Sequence, residues 1–145
     1  MDNTINIRNK KGSFNYQFLE NYIAGIMLIG TEVKSIRNGG VNFVDSYCEI
    51  IDGELWLKGL HIAQYAFGDS HEEKRSRKLL LTKKELNKLS SKIGETGLTI
   101  VPVRLFINNK GLLKVEIALS RGKKLYDKRA DIKEKDIKRE MERSL

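Results

Sequence analysis

Leu113, Val115, Ile117 and Leu119 alternate with Lys114, Glu116 and Ala118 near the end of the chain. A period of two sets one face of an extended strand against a core and the other toward water. The pattern therefore predicts a strand over 112–120. A second over 98–108 precedes it, joined through Asn109-Lys110-Gly111. Pro102 lies inside that second run, where a strand needs an edge or a bulge. Residues 47–51 and 54–59 flank Asp52-Gly53, a pair favoured in two-residue type I′ hairpins. Residues 16–19 and 22–31 read as two further strands with a turn near Glu20-Asn21, and Gly25 in the second suggests a bulge or sharp bend. Residues 61–67 continue as a strand.

Two helices interrupt these strands. Thr31 as N-cap, with Glu32 in the first turn, predicts a short helix to Arg37 that Asn38-Gly39-Gly40 stops. Thr82-Lys83-Lys84-Glu85 is a capping box, and Leu86, Leu89 and Ile93 share one helical face ending at Gly94 or Gly97. The polar stretch 68–77 reads as a mobile loop. Six or seven strands around one substantial helix, with no βαβ alternation, fit an antiparallel barrel of the oligonucleotide-binding type better than a doubly wound sheet. The fold class expected is thus mainly β with short helices, over residues 1–119, followed by a basic tail over 120–145.

The tail changes the picture because it cannot fold by itself. It carries 10 Lys/Arg against 6 Asp/Glu, and its only large apolar residues are Leu125, Tyr126, Ile132, Ile137, Met141 and Leu145. So little apolar surface does not offset the ordering entropy, and the tail is expected to be disordered when free. The net charge of +8 is shared equally by tail and body, which makes nucleic acid the leading partner and an anionic membrane the weaker one. Three basic runs, at 8–11, 74–78 and 121–129, point the same way.

Other chemistry finds little support. His61 and His71 have no partner at metal-ligand spacing, and the single Cys48 builds neither a zinc site nor an internal disulfide. His61 reads as a packed strand residue, His71 and Glu72-Glu73 as solvated, Cys48 as a small hydrophobe. Gly39-Gly40 is a turn, since no Lys-Ser/Thr helix start follows it. No catalytic residue, metal or cofactor is therefore expected, and a nuclease lacks its acidic cluster. A reducing, cytoplasmic setting follows from cysteine usage and a polar N-terminus, and the apolar run 22–29 is far short of the ~20 residues a membrane helix needs. No membrane role is expected.

An ordered series of short words then adds a resemblance. Asn9-Lys10, Tyr16, Ala24-Gly25, Gly30-Thr31-Glu32-Val33-Lys34-Ser35, Asp45-Ser46-Tyr47, Arg77-Lys78-Leu79-Leu80-Leu81, Gly122 to Arg129 and Ile132-Lys133-Glu134 recur in this order. The chain resembles the SsrA-binding protein family (SmpB), the bacterial tmRNA partner in ribosome rescue. It departs from the family at Ile23, where Glu is usual, and in a basic run diluted to Lys11-Gly12-Ser13-Phe14. The resemblance implies a barrel that grips the tRNA-like domain of tmRNA through Asn9, Lys10, Tyr16, Lys78, Leu80 and Lys114. It also implies that a single copy enters a stalled 70S ribosome. There Gly122, Lys123, Lys124, Tyr126, Asp127, Lys128 and Arg129 would meet chiefly small-subunit RNA at the decoding centre, with the tail helical in the mRNA channel. A generic RNA-binding barrel without preference for tmRNA is the alternative reading of the same charge and fold.

Overall fold

The computed structural model describes residues 5–65, 70–94, 97–123 and 125–143, with the side chains of 125–127, 131, 134 and 140–143 outside the description. Among the described residues the chain runs β1 (Asn6–Arg8), α1 (Lys10–Asn15), β2 (Tyr16–Ile26), α2 (Gly30–Arg37) and β3 (Val41–Asn42). It continues through β4 (Tyr47–Ile51), β5 (Glu54–Lys58), β6 (His61–Ile62), β7 (Arg77–Leu80) and α3 (Lys83–Ile93). β8 (Leu98–Ile107), β9 (Leu113–Gly122) and α4 (Leu125–Arg143) complete it.

Strand pairing closes a ring. β8, β4, β5, β7, β2 and β9 are hydrogen-bonded neighbours in that order, and β9 pairs back onto β8. Every pairing is antiparallel. β1 occupies the stretch of β8 around Arg104, away from the Cys48–Ile100 pair with β4. A closed ring leaves no open sheet edge, and its inward residues make the core. Ala24, Leu55, Leu57, Leu79, Ile100, Leu105, Val115 and Ile117 all lie in it. Helix α2 adds Ile36 and α3 adds Leu89, both fully buried. Each such side chain contributes about 1.5–3 kcal/mol by leaving water.

Local chemistry explains the elements that match expectation. Asp52 and Gly53 adopt φ of 51° and 76°, the left-handed pair a type I′ turn requires, and Ile51 faces Glu54 across it. Thr82 Oγ1 accepts from the Glu85 backbone N–H at 3.2 Å and so caps α3. The β8–β9 register shifts between Pro102 and Arg104, so Pro102 sits at a bulge.

Elsewhere tertiary pairing overrides the local reading. Residues 16–26 form one strand, and the expected turn at Glu20-Asn21 is a register shift between Phe18 and Glu20 against β9. Those polar residues have partners across the sheet: Asn21 Nδ2 donates to Glu116 Oε2 at 2.7 Å, and Lys92 pairs with Glu20. Gly25 is not a bulge either; it stays in register with Lys114 on one side and Leu80 on the other. Helix α2 begins one residue before Thr31, with Ile29 at the cap position and its N–H donating to Glu32 Oε1 at 2.8 Å. The strand expected over 61–67 keeps only His61–Ile62, paired with β3; residues 66–67 lie outside the described residues. Cys48 is buried, and burial pushes its thiol pKa up, as suits an inert core residue. The tail, expected without order in the free chain, is a single helix α4 here, with Ile132 and Ile137 exposed. No described helix is long and apolar enough to cross a membrane.

Candidate nucleic-acid interface

Gly25 stands where three strands meet on the barrel's outer surface. Its neighbours in register are Leu80 of β7 and Lys114 of β9, all pointing away from the core. A Cβ at position 25 would lie 3.4 Å from Leu80 Cβ and 3.6 Å from Lys114 Nζ, so the lysine ammonium extends over a bare backbone floor. A groove of about 400 Å³ opens here, with Leu28, Val33, Arg37 and Leu112 in its walls. Leu80 is 50% exposed and Leu112 53% exposed. Exposed apolar side chains framed by cations suit an unstacked base beside its phosphate. Lys78, two residues before Leu80 on the same face, meets Glu54 Oε1 at 3.2 Å. An exposed pair of this kind is worth only about 0.2–1 kcal/mol, so Lys78 can exchange it for a phosphate.

The groove rests on a buried ionic network. Arg77 and Glu32 are both 0% exposed. Arg77 Nε donates to Glu32 Oε2 at 2.6 Å, and its remaining nitrogens donate to Leu60 O at 2.7 Å and Glu73 O at 3.1 Å. Arg75 Nη2 donates to Glu32 Oε1 at 2.6 Å. Burial alone would raise the Glu32 carboxyl pKa, but hydrogen bonds from Arg75, the Ile29 N–H and Arg77 outweigh it and hold it below the ordinary glutamate range. The network ties the start of α2 to β7 and so fixes where Lys78 and Leu80 point.

This revises the basic run 74–78. Arg77 is structural rather than RNA-facing, and Arg75 is committed to Glu32. Period two would have shown it, because Arg77 shares the inward face of Leu79 while Lys78 and Leu80 face out. His71 is likewise buried rather than solvated, with Nε2 2.9 Å from Ile62 O and Nδ1 2.9 Å from Thr31 Oγ1. Ile62 O can only accept, so Nε2 carries the proton in the neutral ring and the Thr31 hydroxyl donates to Nδ1. His61 is partly exposed and pairs with Glu73 at 2.7 Å. Residues 70–76 are therefore stitched to the body.

Asn9, Lys10 and Tyr16 assemble at a second place. Asn9 is buried; its Oδ1 accepts from the Gly12 N–H at 3.0 Å, capping α1, and its Nδ2 donates to Pro102 O at 2.8 Å. Both ends of the carboxamide are used within the fold, so Asn9 shapes the turn that presents Lys10 and Lys11, which are exposed. Tyr16, half-buried, faces Gly122 across the β2–β9 ladder, and the Lys123 N–H donates to Asn15 O at 2.9 Å. Tyr16 and Gly25 are nine steps apart on β2, roughly 30 Å along the strand. The six RNA-facing candidates thus form two patches, one at each end of β2.

The second patch also receives the tail. Lys128 and Lys135 place their ammonium groups 5.9 Å and 6.0 Å from the Phe14 ring centroid. Lys124 lies outside the described residues, as do the side chains of Tyr126 and Asp127; Arg129 is exposed. The sequence pattern gave no reason to single out Phe14, Arg37 or Leu112. Exposed cation–π contacts contribute about 0.5–1 kcal/mol each, so Phe14→Ala is expected to speed amide exchange in 125–143 several-fold. Unchanged exchange would show that α4 does not lean on Phe14. Among the described residues no group of His, Cys, Asp and Glu is placed to hold a metal ion.

The chain as a whole is similar to known proteins. The family model for SmpB protein matches residues 6–145. The SsrA-binding protein of Phocaeicola vulgatus is 57% identical over 141 residues, covering 96% of this chain and 94% of that protein. The SsrA-binding protein of Thermosipho melanesiensis is 53% identical over 133 residues, covering 90% of each. A solved structure described as "tmRNA-SmpB: a journey to the center of the bacterial ribosome" superposes with a TM-score of 0.71 at 44% identity, covering 84% of this chain and 87% of that one.

Proposed function

The chain belongs to the SmpB protein family, and from that premise we propose that it is a cytoplasmic tmRNA-binding protein of trans-translation. Residues 1–119 act as the RNA-binding body and 120–145 as the working tail. The body grips the tRNA-like domain of tmRNA, and the complex enters a 70S ribosome stalled without a stop codon. Gly122, Lys123, Lys124, Tyr126, Asp127, Lys128 and Arg129 then settle against small-subunit RNA at the decoding centre. The tail stands in for absent codon–anticodon pairing, so that tagging of the nascent peptide and ribosome release follow. The protein contributes binding and placement, not catalysis.

The observation that carries the reading is the row Leu80–Gly25–Lys114, an exposed leucine and a lysine across a bare glycine. Lys78 and Lys114 neutralise phosphates, Leu80 packs against a base, and the Tyr16 patch with Asn9 and Lys10 lies beside the tail. The two patches, a β2 length apart, together grip the tRNA-like domain, and the Tyr16 end also adjoins the tail that works at the ribosome.

The test is binding of the full chain to the tRNA-like fragment of tmRNA, with excess ordinary tRNA as competitor, at two salt concentrations. Tight binding that survives the competitor is expected, and Lys114→Ala is expected to weaken it and flatten its salt dependence by about one phosphate. Equal affinity for both RNAs would reduce the protein to a generic basic barrel.

A further inference from the structure

The rung that carries Leu80, Gly25 and Lys114 continues beyond β9. Lys114 faces Phe106 on β8, and Phe106 faces Asn6 on β1. On the adjoining outward rung, Glu116 stands opposite Arg104, and Arg104 opposite Arg8. Leu105 and Ile107 fill the core, so Arg104 and Phe106 point outward by alternation.

Arg104 is held as a plane. Its guanidinium carbon lies 4.1 Å from the Phe106 ring centroid. Its Nε donates to Glu116 Oε1 at 2.7 Å, and Asn21 Nδ2 holds the other oxygen of that carboxylate at 2.7 Å. Nη1 makes only a long contact with Asn6 Oδ1, at 3.5 Å. The Phe106 ring thus covers the guanidinium, Glu116 fixes its Nε edge, and 26% of the side chain is left exposed. Arg104 remains partly exposed and Arg8 exposed. The fixed plane is costly in side-chain entropy, which a merely solubilising arginine does not spend.

We propose that the Arg104–Phe106 stack is a further RNA contact, taking an unpaired base on the guanidinium face while Arg8 neutralises the adjoining phosphate. It rests on the reading that this barrel binds tmRNA, and it extends the Leu80–Lys114 groove toward the Asn9 patch. Continuity is geometric: Leu80 and Phe106 are three strand intervals apart, roughly 14 Å, on one rung. Charge complementarity points to a nucleic acid, because Lys114, Arg104 and Arg8 outnumber Glu116 on these two rungs. An arginine suits the position because its flat group stacks, whereas a lysine ammonium carries the charge without a face.

The experiment compares the full chain with Arg104→Lys, Phe106→Leu and Lys114→Ala in binding to the tRNA-like fragment at two salt concentrations. Stacking of one base is worth about 1–3 kcal/mol, so Arg104→Lys and Phe106→Leu are each expected to lose at least about fivefold in affinity. Arg104→Lys should keep the wild-type salt slope, since its charge remains, whereas Lys114→Ala flattens it. Chemical probing supplies a second readout: one base protected in the wild-type complex should become reactive in Arg104→Lys. If Lys114→Ala weakens binding while both stack variants bind and protect as wild type, the stack is not an RNA contact. A wild-type chain with no preference for the fragment over tRNA would instead remove the reading on which the site depends.

Discussion

Glu32→Gln is expected to lower folding stability by about 3–5 kcal/mol at neutral pH, the cost of leaving a buried arginine without its charge partner. Glutamine keeps the shape and can still accept from the Ile29 N–H, so the loss reports charge rather than volume. Arg77, fully buried on β7, would face a neutral amide, and Arg75 would lose its carboxylate as well. A pH dependence follows from the sign of the Glu32 shift. Its pKa is lowered in the fold, so its stabilisation is complete above the ordinary glutamate value and is lost as pH falls through the folded value. The gap between wild type and variant should therefore narrow in acid. Urea unfolding at pH 7 and pH 3 measures it, and a gap equal at both would show that ionised Glu32 is not what holds Arg77. Because the same network orients β7, the variant should also lose RNA affinity under conditions where it stays folded.

A chain ending at Lys123 is expected to bind the tRNA-like fragment as the full chain does, yet to lose peptide tagging by two orders of magnitude or more. Placing the cut there follows from the ladder. β9 runs through Gly122, and Ser120, Arg121 and Gly122 pair with Phe18, Gln17 and Tyr16. Ending the chain at 119 would remove those pairs and expose Tyr16, so lost binding could come from a frayed barrel. The later cut keeps β9 whole and removes α4, whose described contacts with the body include those of Lys128 and Lys135 with Phe14 of α1. Alanines at Asp127, Lys128 and Arg129 should reproduce the loss with the helix retained, since alanine is the best helix former. Tagging on ribosomes stalled at a message lacking a stop codon provides the assay. Undiminished tagging by either variant would mean that the tail does not work at the decoding centre.

Much of this molecule could be read from neighbouring residues. Asp52-Gly53 needed only its own turn chemistry, Thr82 and Glu85 only each other, and the strand after Gly111 only its alternation. Each depends on interactions within a few positions, where backbone preference and periodicity act directly. The words shared with the SsrA-binding proteins likewise lie in the chain itself, which is why the family is legible before the fold is known.

What the chain could not disclose alone were decisions made between distant residues. Alternation puts Arg77 on the inward face with Leu79, but only the fold brings in the carboxylate 45 positions away, Glu32, that lets its charge stay buried there. Glu20-Asn21 has the composition of a turn, but β9 offers it a ladder, and a bulge costs less than breaking the barrel there. Leu80, Gly25, Lys114 and Phe106 come from four strands, and only the register of the closed ring sets them on one rung. The sequence by itself determined the local elements, the basic character and the family. The tertiary structure decided which charges are spent inside and which remain for a partner, because burying a charge depends on finding its counter-charge across the fold.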